Sequence, residues 1–222
     1  MDINRNSDES QIDSSFFSHG GNLNQEATRL GINIDQIIDA SASLVPFPHP
    51  KKLDNYLYKA LKKNNVRNYP DRAHFELRKA IGSWHKIDPE LVLPGNGAAE
   101  LNTWAARDAS ITGMSGLPSP GFADYERALI CWNAPYIQIP LPLSWSNHSP
   151  QPLKFDTNAE VIWLTNPHNP TGQLWSRESL EPLLIKHKLV ICDEAFLSLV
   201  PQGEKESLLP LVKTNKNLII IK

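Results

Sequence analysis

Residues 160–172 read "EVIWLTNPHNPTG": an apolar run, Val161 to Leu164, followed closely by two asparagines, two prolines and a glycine. A short apolar run bounded by turn residues is the pattern of a strand buried on both faces. Proline fixes φ and removes amide donors, while Gly172 permits a sharp exit, so the turn presents the Asn169 amide at a rigid, preset position. Residues Ser176 to His187 then follow with the spacing of an amphipathic helix.

Working outward, the same alternation repeats. Strands are expected near Leu91–Leu93, Ile111–Leu117, Ile137–Leu141, Val161–Leu164, Leu189–Cys192 and Leu218–Ile221, with helices near Ala98–Arg107, Ala123–Trp132 and Ser176–His187. Such alternation argues an α/β layer fold with a largely parallel sheet. Ligands of such sheets bind beyond the carboxyl ends of the strands, so informative residues should lie just after strands.

Earlier in the chain, residues 1 to about 20 read as a loose arm, "NLNQEATRLG" (Asn22–Gly31) as a short helix ended by glycine, and "QIIDAS" as a strand. Leu53, Tyr56, Leu57, Ala60 and Leu61 fall at helical spacing, as do Phe75, Leu77, Ala80, Ile81 and Trp84. Between these two helices lies the turn "NYPD".

The chain has 222 residues, 41% hydrophobic and 21% charged, an ordinary globular composition. A net charge of −2 and a pI near 6.4 give no electrostatic reason to expect nucleic acid or an anionic membrane as partner. The opening "MDINRNSDESQIDSS" lacks the basic and apolar segments of a signal peptide, and no aliphatic run is long enough to span a bilayer, so a cytoplasmic location is expected. Cys131 and Cys192 have no zinc-like spacing and are both expected as buried thiols.

Four clusters stand at expected strand ends. In "PGNGAAEL" (Pro94–Leu101), Gly95 and Gly97 allow close backbone approach, and the amides of Ala98 and Ala99 open a helix where a phosphate would fit; a plain glycine turn has the same pattern. In "SPGFADYERAL" (Ser119–Leu129), Phe122 stands where a ring could cover a flat ligand, or could simply be core. The third is the opening stretch itself. In "VICDEAF" (Val190–Phe196), a buried run ends in two carboxylates, and Asp193 there needs a cation or strong donors. A pyridinium nitrogen would answer that need, as would a turn cap or a neighbouring Lys or Arg.

"HGGN" (His19–Asn22), "YPD" (Tyr69–Asp71), "GNGAAE" (Gly95–Glu100), "PGFADY" (Pro120–Tyr125), "NPHNPTG" and "DEAF" stand in an order that resembles the fold type I pyridoxal-phosphate enzymes, in the branch holding histidinol-phosphate aminotransferase and threonine-phosphate decarboxylase. The resemblance covers almost the whole chain. It implies a three-layer α/β/α large domain with a largely parallel sheet, truncated before the small carboxyl-terminal domain. Residues 1–45 would form an amino-terminal arm and small-domain segment, and 46–222 the incomplete cofactor-binding domain.

The implied cofactor is pyridoxal 5'-phosphate. Asp193 would pair with its pyridine nitrogen, Asn169 with the ring hydroxyl, and Phe122 would stack on the ring. Gly97, Ala98 and Ala99 would hold the phosphate, and Tyr69 would reach the phosphate of the neighbouring subunit's cofactor, which implies a homodimer. His19 and Asn22 would sit near a substrate phosphate, though a loop histidine and a turn asparagine explain them as well.

Phe196, where the aminotransferases usually place tyrosine, and "HGGN" together lean the resemblance toward threonine-phosphate decarboxylase of cobalamin biosynthesis, with the aminotransferase as alternative. The partner would be a small phosphorylated, amino-acid-like substrate. Two departures stand out. "SASLVPFP" puts Ser43 and Val45 where the family commonly has asparagines. "NLIIIK" resembles the strand that precedes the Schiff-base lysine, and Lys222 at its end lacks the Ser/Thr-rich context of that lysine. The 222-residue chain is therefore expected to be inactive alone, and poorly soluble or dependent on a missing piece, with a non-catalytic remnant or one half of a split enzyme as the alternative of another class.

Overall fold

The computed structural model describes residues 20–45, 47–63, 67–144 and 149–222. The chain divides into two compact units, Met1–Pro70 and Asp71–Lys222.

In the first unit, α1 (Leu23–Leu30) begins at Asn22, whose side chain accepts from the Gln25 amide, and ends at Gly31, whose φ of 66° suits glycine. The expected strand "QIIDAS" does not form. Its first residue closes a short 3-10 turn, Ile34–Gln36, and beyond it Asp39 captures both the amide and the hydroxyl of Ser41 at 2.8 and 2.6 Å, giving the backbone a local alternative to a ladder. Helix α2 spans Lys51–Lys62, with Leu53, Tyr56, Leu57 and Leu61 all exposed.

The second unit opens with α3 (Phe75–His85) and a 3-10 turn at Pro89–Leu91, where a strand was expected. Then come α4 (Ala98–Thr112), β1 (Ser115–Ser119), α5 (Asp124–Cys131), β2 (Tyr136–Pro140), β3 (Val161–Thr165), α6 (Arg177–Leu180), α7 (Leu183–Lys186), β4 (Leu189–Asp193) and β5 (Leu218–Ile221). The strand expected from Ile111 starts later because α4 continues through Ile111, which is exposed, until Gly113 stops it at a φ of 148°. The single helix expected over Ser176–His187 is two, since Pro182 cannot donate within a helix and starts a new one.

Among the described residues, five parallel strands form one sheet in the order β2-β1-β3-β4-β5. Side chains alternate across it. Val161, Trp163 and Ile191 face Ala105, Ala106, Ala109, Ala128 and Leu129 of α4 and α5. Ile162, Leu164, Val190 and Cys192 face Leu180, Leu183 and Leu184 of α6 and α7. The sheet is thus covered on both faces, giving three α/β/α layers, and each fully buried Val or Ile adds about 1.5–3 kcal/mol. Alanines on α4 and α5 let those helices approach closely over Trp163, which is fully buried.

Cys192 is buried as expected, whereas Cys131, the last residue of α5, is exposed because its position falls off the helix face that Ala128 and Leu129 turn to the core. No described helix is long and apolar enough to cross a membrane.

Candidate active site

The strand order fixes where a ligand can enter. From β1 the chain steps outward to β2 at one edge, then crosses back to β3 on the other side of β1, so the connections diverge at the carboxyl ends of β1 and β3. Divergent connections open a crevice there. The turn after β1 carries Pro120, Gly121 and Phe122, and the turn after β3 carries Asn166 to Gly172.

His168 ties these two turns together. Its ring is buried, with Nε2 3.0 Å from the Pro120 carbonyl and Nδ1 2.8 Å from Thr171 Oγ1. A carbonyl only accepts, so Nε2 carries the proton and Nδ1 accepts from the threonine hydroxyl. Burial lowers the ring's pKa, which holds this neutral form. Gly121 lies beside the bridge: a Cβ there would stand 2.3 Å from the Pro118 carbonyl oxygen, so the turn closes only around glycine.

The two asparagines of "NPHNPTG" do different things. Asn166 is fully buried, donating to the Trp175 carbonyl at 3.1 Å and accepting from the Trp175 amide at 2.9 Å. It clamps the base of the loop. Asn169 is half-buried, and its amide makes no hydrogen bond to a described side chain or backbone group.

Across the crevice, Asp193 ends β4 in register with Thr165 of β3. The residue is 4% exposed. The Ala195 amide donates to Oδ1 at 3.0 Å, and the Tyr125 hydroxyl donates to Oδ2 at 3.0 Å while sharing a 2.9 Å hydrogen bond with Thr165 Oγ1. Burial pushes the Asp193 carboxyl above its usual range, the two donors pull it partly back, and the charge of Asp124 adds to the rise. Burial and the neighbouring carboxylate push the Tyr125 phenol far up, so it remains neutral.

Phe122 meets Tyr125 edge-on at 5.4 Å between ring centres, and Tyr125 leans on Trp163 at 5.1 Å. Helix α4 reaches the same place: Arg127 on α5 donates to the Ala99 carbonyl at 3.0 Å and to Thr103 at 3.2 Å, while pairing with buried Asp124 at 2.5 Å. Gly97 caps α4 with φ of 85°, open space surrounds its missing side chain, and the amides of Ala98 and Ala99 make no hydrogen bond to a described residue. Glu100 turns back to accept from the Asn96 amide at 2.5 Å.

Within Asp71–Lys222, the fold therefore gathers Phe122, Asn169 and Asp193 at the strand ends, with Gly97, Ala98 and Ala99 at the start of α4. Asn22 and Tyr69 belong to the first unit, Asn22 as the α1 cap and Tyr69 with its ring almost wholly exposed; His19 lies outside the described residues. Sequence reasoning gave no role to Tyr125, Thr165, His168 or Asn166. The available signal for Tyr125 was its position one helical turn after Phe122.

A buried carboxylate without a basic partner among the described residues, free amides at a helix start and an aromatic ring packed on the tyrosine that binds the carboxylate suit a flat, cationic, phosphorylated group. Lys222 is engaged elsewhere: its ammonium lies 3.4 Å from buried Glu194 and 2.9 Å from Glu204. Glu194 also accepts from Ser207 at 2.5 Å and the Leu208 amide at 2.7 Å.

Comparison with known proteins places the fold among relatives of two named activities. The chain is 28% identical over 211 residues to threonine-phosphate decarboxylase of Salmonella typhimurium, covering 92% of this chain and 57% of that protein. It is 28% identical over 203 residues to histidinol-phosphate aminotransferase of Bacillus cytotoxicus, covering 90% and 54%. The crystal structure of L-threonine-O-3-phosphate decarboxylase from Porphyromonas gingivalis superposes with a TM-score of 0.66 at 25% identity, over 81% of this chain and 55% of that one. The chain spans about half the length of the curated relatives it matches. The model of the aminotransferase class I and II family matches it across residues 30–222, and the chain belongs to that family.

Proposed function

We propose that this chain forms the pyridoxal-phosphate-binding part of a decarboxylase acting on L-threonine O-3-phosphate or a close relative of it. The observation that carries the reading is Asp193: a carboxylate buried at the mouth of the crevice, with two hydrogen-bond donors and no basic partner among the described residues. When bound, the cofactor supplies an electron sink for the carbanion left by loss of carbon dioxide.

The protein's own groups would divide the work of holding it. Asp193, ionised, accepts from the protonated ring nitrogen and favours its charged form. The Ala98 and Ala99 amides, reinforced by the dipole of the α4 helix, bind the phosphate. Asn169 donates to the ring hydroxyl. Phe122 covers one face of the ring and excludes water from it. The names of the Salmonella and Porphyromonas relatives support decarboxylation, and an equally similar Bacillus relative supports histidinol-phosphate transamination as the second reading.

His19 and Asn22 are proposed near the substrate phosphate and Tyr69 at a partner subunit's cofactor, in a cytoplasmic homodimer. Lys222, engaged by Glu194 and Glu204, is not the lysine that attaches the cofactor in this reading, under which the 222-residue chain does not turn over by itself.

The test is a paired assay on the chain alone and on the protein as isolated from its own cells. Isolated protein should release carbon dioxide from threonine phosphate and form aminopropanol phosphate, while the chain alone yields nothing. Glutamate formation from histidinol phosphate and 2-oxoglutarate would favour the second reading. Turnover by the chain alone would refute its inactivity.

A further inference from the structure

We propose that Tyr125 is the positioning residue that holds Asp193 as a singly oriented carboxylate, through a hydrogen-bond chain running from Thr165 through the phenol to Oδ2. The inference rests on reading Asp193 as the partner of a cationic ring nitrogen.

The direction of the chain follows from donor counting. An ionised carboxylate only accepts, and the Tyr125 hydroxyl has one proton, which it donates to Asp193 Oδ2 across an oxygen–oxygen distance of 3.0 Å. The 2.9 Å bond to Thr165 must then be donated by the threonine hydroxyl. Each bond polarises the next, so the phenol is a stronger donor to Asp193 than it would be alone. With the Ala195 amide on Oδ1, both oxygens are fixed and the carboxylate plane cannot rotate.

Tyr125 itself cannot swing away. It is 3% exposed, wedged between the edge of Phe122 and the face of Trp163. Its placement is therefore set by the core and transmitted to the carboxylate.

The charges around Asp193 leave these bonds with most of the task. From α5, Asp124 repels it, though Arg127 pairs with Asp124 at 2.5 Å. On its own strand Cys192 is a buried neutral thiol, and the next residue, Glu194, is engaged by Lys222. Ile221, its register partner on β5, brings no charge. Among the described residues no cation pairs with Asp193, so its ionisation depends on Tyr125 and the Ala195 amide. Removing a donor to the charged form raises a carboxyl pKa.

The experiment is an infrared pH titration of the 222-residue chain without ligand, following the carbonyl band of protonated Asp193, assigned by its loss in Asp193→Asn. Tyr125→Phe keeps the ring and deletes only the hydroxyl. Its Asp193 midpoint should rise by about one to two pH units, and Thr165→Val should move it the same way by less. Pyridoxal phosphate affinity should then fall on the acid side and stay near wild type at high pH, because the charged carboxylate is present only above its pKa.

An unchanged midpoint in folded Tyr125→Phe overturns the proposal, as does an equal loss of affinity at every pH. If Tyr125→Phe does not fold, an unshifted Thr165→Val overturns it. A shifted midpoint in a protein that binds no pyridoxal phosphate supports the Tyr125 link and refutes the reading of the crevice instead.

Discussion

Asp193→Asn should weaken pyridoxal phosphate binding by about 30-fold to several thousand-fold. The substitution preserves shape and removes the charge from a site that is 4% exposed. Truncating one member of a buried, hydrogen-bonded charge pair costs about 2–5 kcal/mol, much of it from leaving the other charge unpaired, and about 1.4 kcal/mol is a factor of ten. An equilibrium titration measures it. The chain itself should fold normally, because a neutral amide is cheaper to bury than a carboxylate that lacks a cation. Equal affinity of the two proteins would remove Asp193 from the site.

The second large effect separates the asparagines of the loop. Asn166→Ala strips the buried Trp175 amide and carbonyl of their partners. Each buried group left unpaired costs about 1–3 kcal/mol, so the loss is about 2–6 kcal/mol, read as a lower urea midpoint at unchanged slope. Asn169→Ala breaks no hydrogen bond to the described residues, and its stability should stay within about 0.5 kcal/mol of wild type. Its pyridoxal phosphate affinity should nevertheless fall by up to about tenfold, the worth of one hydrogen bond. The reverse pattern, a stable Asn166→Ala and an unfolded Asn169→Ala, would invert the roles.

The central strands were legible because β3 and β4 are buried along their whole length, so every position before the last is apolar and the run stands out. Strand β1 was not. Its sequence "SGLPS" contains a proline, which argues against a strand between two partners. The structure resolves this by ending the β1–β3 pairing at Gly116↔Ile162, so Pro118 lies beyond the stretch where β3 needs a donor. The apolar Ile111, by contrast, looked like the start of a strand and is an exposed residue of α4.

The candidate site divides in the same way. Asp193 and Asn169 could be singled out because each sits at the end of a readable strand. The groups that hold them could not, because the contacts are tertiary: Tyr125 meets Asp193 across 68 residues and His168 meets Pro120 across 48. On its own, Tyr125 reads as an ordinary core residue of α5, which it also is.

The most direct test of the account is a comparative titration of the 222-residue chain with pyridoxal phosphate and with pyridoxal, which lacks the phosphate. The account predicts one saturable site per chain for pyridoxal phosphate, at least about tenfold weaker binding of pyridoxal for want of the α4 amide contacts, and loss of both in Asp193→Asn. No saturable binding, or equal binding of the two compounds that ignores Asp193→Asn, would contradict it.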